Sequence, residues 1–128
     1  MAEYGIEVTL NLSVEKAEDK ISSELKKEGF GLVSRINMKD KFKEKLDVDY
    51  RKYLILGFCN PSMAYEAIEV EDNIGLLLPC NVVVYEKDDK TNVAVIKPSV
   101  AMSMVDNPSL VSMAKKIEET LEKAVGRL

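Results

Sequence analysis

The chain contains no histidine, no tryptophan and no glutamine in its 128 residues. Without histidine, every Ser-His-Asp or Cys-His catalytic arrangement is excluded. The common zinc sites and the facial-triad iron sites fall with it. Glycine is sparse, and its six copies (5, 29, 31, 57, 75 and 126) are scattered, so no glycine-rich phosphate loop exists. Only two cysteines are present, too few for a disulfide framework. No run approaches the roughly 18 to 20 apolar residues that cross a bilayer. The start, Met1 to Leu10, carries Glu3 and Glu7 and no basic residue, which argues against a signal peptide. The expected setting is therefore the cytoplasm, with reduced thiols.

What is present describes one globular domain over 1–128. Hydrophobic residues make up 46% and charged residues 31%, which is globular rather than disordered composition. Twenty-two acidic residues against 18 basic ones leave a net charge of −4. That balance speaks against nucleic acid or anionic lipid as a general partner.

Gly5 to Leu12 alternates apolar and polar residues, the pattern of a half-buried strand. Ser13 then caps a helix with Val14, Ala17, Ile21 and Leu25 on one face, closed by Gly29 and Phe30. Gly31 to Ile36 reads as a second strand. Asn37 caps a short helix with Met38, Phe42 and Leu46 at spacing four. Arg51 to Cys59 is a third strand, and Asn60-Pro61 starts a helix to about Val70 with Met63, Ala64, Ala67 and Ile68 inward. Leu76 to Tyr85 is a fourth strand in which Pro79 marks an edge, a bulge or the true start. A polar turn over 87–92 leads to a fifth strand, Val93 to Ile96. Asn107-Pro108 opens the last helix, with Leu110, Ala114, Ile117, Leu121 and Val125 in one stripe. The order β-α-β-(α)-β-(α)-β-β-α predicts an α+β fold, a mostly antiparallel five-stranded sheet with helices mainly on one face. The apolar run Leu76-Leu77-Leu78 leaves the other face in need of cover, which a symmetric homodimer would supply.

One candidate site emerges, formed by Cys59, Asn60, Pro79, Cys80 and Asn81. Each cysteine is followed by an asparagine, and the two lie near the ends of successive strands. Antiparallel pairing of those strands would bring both thiols to one end of the sheet. Cys59 also precedes a helix N-terminus, where the dipole favours a negative sulfur. Against this, a free cysteine is usually a small buried hydrophobe. No metal is expected, because two sulfurs fill only half of a tetrahedral site. Ser13 with Lys16 and Ser112 with Lys115 match the S-x-x-K spacing of acyl-serine enzymes, but capping and exposure account for both serines. Asp47 and Asp49 read as a solvated turn, and Lys39, Lys41, Lys43 and Lys45 as a solvated surface.

Gly75 to Glu86, with Cys59-Asn60-Pro61 upstream, resembles the domain-of-unknown-function family numbered 302. Tyr4-Gly5, Glu28-Gly29-Phe30-Gly31 and Lys43-Glu44-Lys45-Leu46 extend the resemblance over roughly Tyr4 to Leu121. The resemblance implies a small α+β domain that forms homodimers, and it places Cys59, Asn60, Pro61, Pro79, Cys80 and Asn81 at motif positions. It implies no activity and names no cofactor. Three expectations follow. The first is a dimeric module that binds a small molecule or responds to thiol oxidation near the two Cys-Asn pairs. The second is a cysteine-dependent enzyme with Cys59 as nucleophile or persulfide carrier. The third is a purely structural or interaction protein.

Overall fold

The computed structural model describes residues 3–128. Five strands form one antiparallel sheet in the order β1-β5-β4-β3-β2. They are β1 (Gly5–Leu10), β2 (Gly31–Asn37), β3 (Tyr53–Cys59), β4 (Cys80–Lys87) and β5 (Lys90–Ile96). The helices are α1 (Val14–Lys27), α2 (Met38–Leu46), α3 (Pro61–Val70), α4 (Pro98–Ala101) and α5 (Pro108–Gly126), with 3₁₀ turns at Asp72–Leu77 and Met102–Met104. The α+β class and the five-stranded antiparallel sheet are as the sequence predicts.

Two long helices cover one face of the sheet. Val14, Ala17, Ile21 and Leu25 of α1 and Ile117, Leu121, Ala124 and Val125 of α5 bury against Leu54, Leu56, Phe58, Val82, Val84, Val93 and Val95. Each fully buried aliphatic side chain contributes roughly 1.5–3 kcal/mol of transfer free energy. The helix stripes end where their caps say. Ser13 accepts the Lys16 N–H, and the Phe30 N–H bonds back to the Leu25 carbonyl past Gly29. A second, smaller cluster of Ala67, Ile74, Met102, Leu110 and Ala114 joins α3 to the N-terminal half of α5.

Three readings need correction. Strand four begins at Cys80, not Leu76, because Leu76 and Leu77 belong to the 3₁₀ turn Asp72–Leu77. Pro79 therefore marks the true strand start. Helix α2 buries none of its residues, and Leu46 is 65% exposed, so its apolar spacing does not find a core within the chain. In α3 only Ala67 is fully buried, and Ile68 points to solvent. Between β4 and β5 the turn narrows to Asp88 and Asp89, both with positive φ. That is the backbone a two-residue hairpin requires, with aspartate in the place glycine or asparagine commonly takes.

Candidate functional site

The helix-free face of the sheet follows from strand alternation. Register aligns its outward side chains into rows. One row runs Tyr53, Tyr85, Asn92, Thr9, and the next runs Ile55, Val83, Ala94, Glu7. Beyond them lie Gly57 opposite Asn81, and Gly5 opposite Ile96. Small residues at Ala94 and Gly5 leave the middle low, and large ones at Tyr4, Arg51, Tyr53 and Tyr85 raise its border. The result is a hollow of about 310 Å³, at the lower end of the range that holds small molecules.

The aromatic border is ordered. The Tyr53 and Tyr85 rings stack with centroids 5.1 Å apart and planes 15° from parallel. The Arg51 guanidinium sits 5.2 Å from the Tyr85 ring centre and 5.3 Å from that of Tyr50, within cation–π range. Tyr50 in turn meets Phe42 of α2 edge to face at 5.2 Å. The Asn92 amide donates to the Tyr85 hydroxyl at 2.8 Å, and the Thr9 hydroxyl donates to Asn92 Oδ1 at 2.9 Å. That chain fixes Tyr85. Burial, with Tyr85 alongside, pushes the Tyr53 phenol above its ordinary value, so it stays a protonated donor.

The five residues expected from the sequence fall in neighbouring but distinct places. Register pairs Phe58 with Cys80, so β3 and β4 do bring the two thiols to one end of the sheet. Cys59, Asn60, Pro79 and Cys80 all line a cavity of about 20 Å³ under α3, together with Phe30, Phe58 and Met63. That is room for about one water. Both thiols are free. Cys80 is buried, and burial first, then Cys59, pushes its thiol up to about 11.

Asn60 has both ends of its amide occupied. Its Oδ1 accepts the Met63 N–H at 3.3 Å, and its Nδ2 donates to the Glu28 carbonyl at 3.4 Å. Pro79 and Cys80 also border a separate hollow of about 210 Å³ beside Leu78, Pro98 and Met102. Asn81 borders both that hollow and the open-face hollow. Its exposed side chain makes no hydrogen bond among the described residues.

Sequence reasoning missed Tyr4, Glu7, Arg51, Tyr53 and Tyr85. The alternation Asn81, Val83, Tyr85 already put these three on one face. What it could not supply was the register that sets Tyr53 beside Tyr85. Among the described residues, no cluster of three metal-ligating side chains forms, and no helix is long and apolar enough to cross a membrane.

None of the curated proteins compared with the chain matches it. A solved structure does: the crystal structure of an uncharacterized conserved protein DUF302 from Bacillus stearothermophilus, at 28% identity over 98% of each chain, with a TM-score of 0.92. The family profile described as Domain of unknown function DUF302 matches residues 6–128. With almost the whole length matched by profile and by fold, the chain belongs to the DUF302 family.

Proposed function

We propose that the chain is a small-molecule-binding module whose ligand lies in the open-face hollow. The observation that carries this reading is a 310 Å³ depression over small residues, bordered by a stacked tyrosine pair and an arginine, on a sheet face that no helix covers. Asn81 connects this hollow to the Cys-Asn motif, so the motif's second asparagine becomes a ligand contact. A fragment screen by ligand-observed NMR tests the reading. Hits are expected to be displaced by Ala94→Leu, which fills the floor. Hits unaffected by that substitution would refute it.

A second reading rests on Cys59 and Cys80 bordering one cavity. In it hydrogen peroxide takes two electrons and two protons from the thiols, leaving a disulfide and two waters. Cys59 reacts first, since Cys80 is held protonated. Mass spectrometry of the peroxide-treated chain would register a loss of 2 Da in wild type and none in Cys59→Ser. Wild type unchanged in mass removes this reading. Free thiols at both positions suit the cytoplasm.

The module works as a homodimer in the same proposal. β2 and α2 form an arm without a buried residue, and Leu32, Val33, Ile36, Leu46 and Val48 stand exposed on or just beyond it. Four lysines outnumber Asp40 and Glu44 on α2, whereas residues 53–86 hold five carboxylates and no basic residue. A second copy matches charge to charge there. Native mass spectrometry should find a dimer in wild type and a monomer in Val33→Glu with Leu46→Glu. Monomeric wild type at micromolar concentration would refute the assembly.

A further inference from the structure

The geometry points to a flat organic anion, an aromatic carboxylate or its like, as the class of ligand taken by the open-face hollow. The inference rests on the small-molecule reading above and adds the chemistry of the ligand.

Arg51 supplies the charge. Its guanidinium is held between two tyrosine rings and makes no ion pair among the described residues. The other two arginines differ: Arg35 and Arg127 each grip a glutamate at 2.6 Å. An arginine fixed by stacking, with no counter-ion among the described residues, keeps its N–H donors for an incoming group. A carboxylate matches that planar fork with two parallel hydrogen bonds. The Tyr53 hydroxyl and the Asn81 amide, likewise without a hydrogen-bond partner among the described residues, border the same hollow and add donors.

The shape supplies the flatness. The floor is Val83 and Ala94, with the parallel Tyr53–Tyr85 stack along one side. A planar ring can lie on such a floor with its edge or face against the tyrosines. A bulky, branched or strongly hydrated anion such as phosphate would leave that apolar floor unfilled.

Titration of the wild-type chain with 2-naphthoate and with its neutral counterpart 2-naphthalenemethanol tests the inference, read by NMR shifts of the backbone amides. Naphthoate is expected to bind at least about tenfold more tightly, with the largest shifts at Tyr53, Tyr85 and Ala94. Arg51→Gln should abolish that preference, so that the two probes bind alike. Arg51 is exposed, so the variant keeps its fold. Ala94→Leu should weaken both probes. Equal affinities for the two probes, both lost in Ala94→Leu, would overturn the anion while sparing the binding site. Failure of either probe to bind at millimolar concentration, or binding indifferent to Ala94→Leu, would overturn both.

Discussion

Asn60 closes over Gly29. A Cβ added at Gly29 would lie 3.0 Å from Asn60 Nδ2, and that same nitrogen donates to the carbonyl of Glu28 next door. Gly29 itself has φ +87°, the left-handed backbone that ends α1. So the first asparagine of the Cys-Asn motif ties the start of α3 to the end of α1.

Two substitutions should therefore be coupled. Gly29→Ala is expected to cost about 1–2 kcal/mol from the left-handed backbone alone, and more from the contact with Asn60. Asn60→Ala is expected to cost about 1 kcal/mol as a lost N-cap. In the double variant the alanine methyl meets no amide, so the total should fall short of the sum. Urea denaturation of the four proteins measures this, and simple additivity would contradict the contact.

Gly57 presents a tighter case. A Cβ there would run into the Ser34 hydroxyl on one side and the Pro79 ring on the other. Gly57→Ala should cost about 1–3 kcal/mol, the range for overpacking. Adding Ser34→Ala should recover only part of the loss, because the proline ring cannot rotate aside. Denaturant midpoints would show it, and full recovery would mean that Pro79 yields.

These positions also mark how far the sequence can be read. The stripes of α1 and α5 were legible because each buries one continuous face, and Ile21, Leu25, Leu110 and Leu121 all lie where the spacing puts them. Asn37, Asn60 and Asn107 were legible as caps for a local reason, since each accepts a backbone N–H two or three residues ahead. Leu76 to Leu78 misled because a short apolar run has no period, and the end of a 3₁₀ turn can hold Leu76 and Leu77 as well as a strand. The open-face hollow was illegible for a different reason. It is made by which residues stand opposite one another, Tyr53 with Tyr85 and Glu7 with Ala94, and register is a property of the assembled sheet.

Glu24 predicts behaviour in acid. It is buried between α1 and the chain's end, with Arg127 Nε at 2.6 Å and Lys27 Nζ at 3.0 Å. The Arg127 hydrogen bond first, and then Lys27, hold its carboxyl below the ordinary value of 4.5. A depressed folded value means that the stabilisation is complete above about pH 4.5 and is lost as pH falls through the lowered one. Glu24→Gln should thus destabilise the chain at pH 7 and flatten the acid side of its stability profile. Urea midpoints between pH 2 and 7 report this, and parallel profiles for the two proteins would refute it.

Cys80 predicts the opposite limb. Burial, reinforced by Cys59, raises its thiol from 9.0 to about 11. A raised value favours the neutral thiol in the folded state. The unfolded chain therefore releases its proton first as pH rises. The contribution is whole below pH 9, declines between 9 and 11, and amounts to about 2–3 kcal/mol across that window. Alkylation by iodoacetamide isolates the group when Cys59→Ser leaves it as the sole thiol. The folded protein should react with a midpoint near pH 11, and the same protein in 8 M urea near pH 9. A folded midpoint near 9 would mean that water and base reach the sulfur freely, which the packing of Phe30, Phe58 and Met63 around that cavity forbids.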